Sequence, residues 1–213
     1  MTNHLYYGDN LEVLRDRNAF PDECVDLIYL DPPFNSNATY SHLFKDESGQ
    51  VSGAQIEAFE DTWHWGMEGS TTWDIYNEIV SKQDDVGKML QAFVSALGNN
   101  DVTAYLTMMA PRLVELRRVL KPTGSICLHC DPTASHYLKV LMDAVFEPIN
   151  FRAEIVWKRY GSHNDARRNF ASIHDVIFLY SRSREATFNV QYGGHDPEYV
   201  ERSYRQKDSD GRR

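Results

Sequence analysis

The sequence predicts an α/β layered sheet. Two observations carry this. Compact apolar runs rich in β-branched and aromatic residues recur at 24–30, 125–130, 151–157 and 173–180. Between them lie stretches with helical character, notably 72–97 and 102–120. Strand-like runs interleaved with helical spacing imply a sheet with helices packed on it.

Taken in order, residues 4–7 read as a short strand. Asp9 or Asn10 then caps a helix to about residue 17, with Leu11 and Leu14 on its buried side. The run CVDLIYL at 24–30 reads as a strand buried on both faces, as in parallel sheets. Residues 31–50 read as a long polar loop, and such loops inside compact domains are usually functional or disordered. Residues 72–97 read as one or two helices. Over 102–120, Leu106, Met109, Leu113, Leu116 and Leu120 fall three or four apart, which is helical spacing. Pro111 should kink or restart that helix. Lys121-Pro122-Thr123-Gly124 should turn the chain. Residues 125–130 read as another buried strand, and Pro132 or Thr133 opens a helix to about Phe146. Residues 151–157 and 173–180 read as two further strands.

The 213 residues suffice for one domain with a core. Met-Thr-Asn-His at the start has neither a basic nor an apolar signal-peptide region. No apolar run approaches membrane-spanning length. Three cysteines (Cys24, Cys127, Cys130) form no disulfide framework, which fits a reducing cytoplasm. The net charge of −9 argues against a plain nucleic-acid binder. Its distribution argues otherwise. Residues 151–213 hold 12 Lys and Arg against 9 Asp and Glu, whereas residues 1–150 hold 10 against 22. Positive charge gathers toward the C-terminal end, as a phosphate-facing surface or as a solvated basic tail.

The strongest chemical signal is Asp31-Pro32-Pro33-Phe34, directly after a predicted buried strand. Open α/β sheets place ligand sites at the carboxyl ends of their strands. An exocyclic amine on a base has two N–H donors and a lone pair delocalised into the ring. To attack a methyl group, both N–H groups need acceptors. The Asp31 carboxylate can accept one hydrogen bond and the Pro32 carbonyl the other. Consecutive prolines hold that backbone extended. Phe34 offers a face for a flipped base, worth roughly 1–3 kcal/mol, which offsets much of the flipping cost. The plain alternative is a turn that ends a strand.

Several blocks in sequence make a family resemblance visible. Tyr7-Gly8-Asp9-Asn10, VDLIYLDPPF at 25–34, GSICLHCDPTASHYLKVLMDAVF at 124–146, FRAEIVWKR at 151–159 and HDVIFLYSRS at 174–183 together resemble the N4/N6 amino-methyltransferases of DNA. The match is to the circularly permuted bacterial and phage group, in which DPPF precedes the glycine motif. FEDTWHWG at 59–66 resembles an insert of one branch, akin to modification subunits of restriction systems.

The resemblance implies a class I methyltransferase (Rossmann-like) sheet with helices on both faces and a C-terminal antiparallel strand pair. It implies S-adenosylmethionine as cofactor and double-stranded DNA as substrate. Asp31, Pro32, Pro33 and Phe34 would hold the target amine and base. Asp9 would meet the amino group of the cofactor's adenine, and Asn10 the same ring through its backbone N–H. Asp9 can equally be a helix N-cap. No metal is implied. Asp at the first motif position points to adenine N6, with cytosine N4 as the alternative. An RNA or protein amine methyltransferase is a further alternative. A restriction subunit and a second copy of the chain are the partners implied.

One departure stands out. The family grips its cofactor with a Phe-x-Gly-x-Gly loop, and no two of the twelve glycines here are separated by a single residue. The expectation is an incomplete sheet: residues 1–190 as the catalytic part, and 191–213 as the start of a target-recognition segment that is cut short. Low stability and weak cofactor affinity follow, because strands would lack neighbours. The same absence supports a rival reading, a non-catalytic piece that docks on DNA or on a partner.

Weaker signals have plainer readings. Cys127 and Cys130 are three apart on a strand, so they face opposite ways, and no second pair exists to complete a zinc site. Trp63, His64 and Trp65 could line a base pocket, though such clusters more often pack a loop onto the core. His163 and His174 fall in the region resembling the family's base-pocket wall. Lys158, Arg159, Arg167 and Arg168 are candidates for phosphate contact or for a solvated face.

Overall fold

The computed structural model describes residues 3–33, 39–42, 56–60, 63–66, 70–159, 173–194, 196–206 and 209–210. The described helices are α1 (Asn10–Arg15), α2 (Thr71–Ser81), α3 (Asp85–Leu97), α4 (Asp101–Val119), α5 (Ser135–Phe146) and α6 (Pro197–Ser203). The strands are β1 (Val25–Leu30), β2 (Thr39–His42), β3 (Ile56–Glu60), β4 (Leu120–Cys130), β5 (Phe151–Lys158) and β6 (His174–Ser181). Four strands form one sheet in the order β1-β4-β6-β5, and β2 pairs with β3 apart from it. β1 runs parallel to β4, while β6 is antiparallel to both β4 and β5. The expected α/β sheet with a C-terminal antiparallel pair is present.

The core lies between this sheet and the helices. Ile126, Leu128 and Cys130 of β4 and Val176, Phe178 and Tyr180 of β6 alternate inward. They meet α4 and α5, whose Leu106, Met109, Leu113, Leu138 and Leu141 are fully or almost fully buried. α4 is the central helix and packs against α1, α2, α3, α5 and β4. A capping box starts it: Asn100 Oδ1 accepts from the Thr103 N–H at 3.0 Å, and Thr103 Oγ1 accepts from the Asn100 N–H at 3.1 Å. Such a cap contributes about 1 kcal/mol.

Several local expectations are revised. Residues 4–7 form no strand, and Leu5 and Tyr7 stand almost fully exposed, with no described strand beside them to complete a ladder. Pro111 does not restart α4, which runs unbroken through it. One lost backbone hydrogen bond is outweighed by burial, since every residue from Thr103 to Leu113 is buried. Lys121–Gly124 belongs to β4 rather than to a turn. The turn signal surfaces as a register shift instead: Val25 pairs with Leu120, but Leu27 already pairs with Ser125. The polar stretch after Asp31 contains β2, whose Thr39 and Tyr40 are strand-prone types.

β1 is not buried on both faces. Leu27 and Tyr29 are exposed, as are Ile155 and Trp157 across the same face of the sheet. The core helices cover the opposite face. The second helical layer that the resemblance implies is not among the described residues.

Gly124 sits where the bulge brings backbones together. A Cβ there would lie 2.8 Å from Leu120 Cδ1 and 2.9 Å from the Asp26 carbonyl oxygen. Gly124→Ala is therefore expected to destabilise the fold by about 1–3 kcal/mol, the usual cost of overpacking. Urea unfolding measures it, and an unchanged midpoint would contradict this packing.

Candidate functional site

Asp31 is placed by the parallel ladder. Tyr29 pairs with Cys127 and Leu30 with Leu128, so the next step sets Asp31 beside His129. Both side chains lie on the face opposite buried Leu128. His129 Nδ1 is 2.9 Å from Asp31 Oδ1. An ionised carboxylate only accepts, so Nδ1–H is the donor. The Asp31 side chain stays 61% exposed and can still meet a substrate. Pro32 is buried and Pro33 half-buried, which fixes the backbone just past the strand. Phe34 lies outside the described residues.

The contacts continue across the sheet. His129 pairs with Ile177 of β6, and Asp175 is two residues along on the same face. Asp175 is buried, its Oδ2 is 3.3 Å from His129 Nε2, and its Oδ1 is 3.3 Å from Arg159 Nε. A row of acid, imidazole, acid and guanidinium thus crosses all four strands at one end of the sheet.

Asp9 and Asn10 form a second group at the head of α1. Asp9 Oδ1 accepts from the Leu11 N–H at 2.8 Å, so Asp9 is the N-cap. Both Asp9 oxygens also accept from Arg112 Nη2 at 2.7 Å. Arg112 Nε donates to Asn10 Oδ1 at 2.9 Å, and its Nη1 donates to the Met108 carbonyl at 2.7 Å. Burial pushes the Arg112 guanidinium below its usual range, and the neighbouring Asp9 charge opposes that. With its own side chain tied to Arg112, Asn10 has its backbone N–H as the group for a ring contact. Asp9 remains half-exposed, so its carboxylate can accept a further donor while holding the cap.

Sequence reasoning missed His129, Asp175 and Arg112. The register that sets His129 beside Asp31, with Leu27 opposite Ser125 and Leu30 opposite Leu128, cannot be read from the bounds of the two predicted strands. No local signal marks Asp175 or Arg112, whose partners are distant in the chain.

The other candidates sort plainly. Cys127 is half-buried on the outer face and Cys130 is buried in the core. Among the described residues no group of three His, Cys, Asp or Glu side chains is arranged to hold a metal ion. Trp65 is buried, donates to Thr103 Oγ1 at 2.8 Å and meets the Trp73 ring edge-on at 4.7 Å, so it packs its loop onto α4. His64 Nδ1 lies 2.7 Å from Asp101. His174 lines a cavity of about 330 Å³ with His136, Glu154 and Phe178. Lys158 is exposed. His163, Arg167 and Arg168 lie outside the described residues. Among those described, no helix is long and apolar enough to cross a membrane.

A family model described as DNA methylase matches residues 25–212. The Mod subunit of the type III restriction-modification enzyme StyLTI from Salmonella typhimurium (strain LT2) is 26% identical over 93% of this chain and 26% of that protein. The EcoP15I Mod subunit of Escherichia coli is 27% identical over 85% of this chain and 24% of that one. The type II methyltransferase M.KpnI of Klebsiella pneumoniae is 25% identical over 88% and 34%. The chain spans about a quarter to a third of the length of these relatives. Among solved structures, the M1.HpyAVI–SAM complex aligns with 90% of this chain and 60% of its own, at 13% identity and a TM-score of 0.43.

Asp9→Ala should cost about 2–3 kcal/mol, because it removes an N-cap and strands a buried guanidinium. Arg112→Met should cost only about 1 kcal/mol, because Asp9 can turn to water. Equal losses in chemical denaturation would refute this asymmetry. Burial pushes the Cys130 thiol up to about 12. Folded protein should therefore resist alkylation at Cys130 at pH 8, while urea exposes it. Unfolded chains release that proton at about pH 8.5, so the native state holds it where the unfolded state does not. Stability should fall as pH rises from there toward 12, and a flat alkaline stability curve would count against a buried neutral thiol.

Proposed function

We propose, since this chain belongs to the DNA methylase family, that it carries the amine-binding part of a DNA methyltransferase acting on N6 of adenine. The observation that supports this most is Asp31-Pro32-Pro33 at the carboxyl end of β1, with the Asp31 carboxylate exposed and braced by His129. Asp31 accepts one N–H of the flipped base and the Pro32 carbonyl the other, which localises the nitrogen lone pair for attack. Phe34 stacks on the base. Asp rather than Ser at the first motif position favours adenine over cytosine N4.

S-adenosylmethionine is the methyl donor this reading requires, because its sulfonium carries an electrophilic methyl group. Asp9 and Asn10 hold its adenine end, and the Arg112 clamp suits that task by fixing the Asp9 carboxylate while leaving it half-exposed. Residues 1–190 are the catalytic part, and 191–213 begin the target-recognition segment. Double-stranded DNA is the substrate. The Mod-subunit relatives suggest a restriction subunit as partner, and the family resemblance suggests pairing with a second copy. One feature favours a non-catalytic DNA-docking role instead: the chain contains no Gly-x-Gly.

Asp31→Ala in the full-length protein decides between these readings. Methylation of DNA, read by nucleoside analysis for N6-methyladenine, should fall at least about 100-fold while DNA binding persists. Undiminished methylation would remove Asp31 from the chemistry. N4-methylcytosine as the product would move the substrate to cytosine.

A further inference from the structure

We propose that His129 is a positioning residue for amine methylation, orienting the Asp31 carboxylate toward the target amine. This rests on the DNA amino-methyltransferase reading and deepens it. Asp31 is the first residue past β1, and its side chain is mostly in solvent. An exposed carboxylate samples several rotamers, whereas an acceptor for one N–H must sit at one place and angle. The Nδ1–H of His129 meets Asp31 Oδ1 at 2.9 Å and removes that freedom.

The ring is fixed in turn. Its side chain is only 19% exposed, and Asp175 Oδ2 lies 3.3 Å from Nε2 on the other side. The Asp175 side chain is 4% exposed, and Arg159 Nε lies 3.3 Å from its Oδ1 as an ion pair. Buried charged groups are a costly way to hold strands together, and apolar residues of similar volume serve stability at least as well. Apolar residues do line the rest of this face, at Leu27, Tyr29, Ile155, Ile177 and Leu179. A hydrogen bond from a mostly buried ring to the one exposed carboxylate, with further polar groups packed behind that ring, is what preorganisation of that carboxylate needs.

The test uses the full-length protein with its DNA substrate and S-adenosylmethionine, and begins with Asp31→Ala. If that variant methylates normally, the amine-acceptor reading fails and this proposal falls with it. The same holds if wild-type protein methylates no DNA. If Asp31→Ala is strongly impaired, His129→Ala should lower kcat on the order of 10- to 100-fold, with KM for DNA and for the methyl donor within about 3-fold. His129→Asn keeps an N–H near the place of Nδ1 and should recover part of kcat. In an Asp31→Ala background the same His129→Ala change should lower the residual rate little further, because the acceptor it orients is already gone. Should His129→Ala fold poorly by thermal unfolding, His129→Asn against His129→Leu gives the same comparison. Wild-type kcat in His129→Ala, a rise in KM alone, or a full independent loss of the residual rate in the Asp31→Ala background would each overturn the proposal.

Discussion

The parallel pairing of β1 with β4 is the constraint on which the site depends. β4 is an interior strand, with β1 on one side and β6 on the other. Its inward residues Ile126, Leu128 and Cys130 are fully buried, so its register cannot slip by one without turning them to the outer face. Once Leu30 is opposite Leu128, Asp31 has to emerge beside His129. Packing of the inner face thereby sets the geometry of polar groups on the outer one. The register shift at Lys121–Gly124 absorbs the extra residues near the start of β4 and leaves the ladder regular where it matters.

α4 does the corresponding work for the second group. It is buried nearly all round and holds Arg112 against the head of α1. Asp9 and Asn10 are exposed residues at the start of a six-residue helix, which is too short to be stable by itself. The Arg112 contacts tie that short helix to the longest described one. Asp9 thus answers the question of whether it caps a helix or serves a ligand: it caps, and its orientation leaves it able to do the other.

Much of this was legible in advance. The strands at 24–30, 125–130, 151–157 and 173–180 are short apolar runs, and three formed within about a residue of the expected place, while β4 ends where expected but starts at Leu120, five residues early. The start of α1 at Asp9 or Asn10 and the helical stretch at 72–97 were equally readable, because their signals are local, while the structure decided for Asp9 and for two helices. The errors fell where tertiary context outweighs a local signal. Pro111 and Lys121-Pro122-Thr123-Gly124 carry strong breaker signals, yet burial carried the helix through the first and the sheet drew in the second. Residues 4–7 have strand-like side chains but no described neighbour, and a strand exists only as one member of a ladder.

The sequence by itself determined the family, the α/β class and the Asp31-Pro32-Pro33-Phe34 tetrapeptide, because each is written in contiguous residues or in short periodic patterns. Only the tertiary structure decided that Asp31 is braced by His129, that Asp175 and Arg159 stand behind it, and that Arg112 clamps Asp9. Those partners lie 98 and 103 positions apart in the chain for Asp31–His129 and Asp9–Arg112. Sequence periodicity reports which face of an element a residue occupies. It does not report which distant element will lie against that face, and that is set by the packing of the whole core.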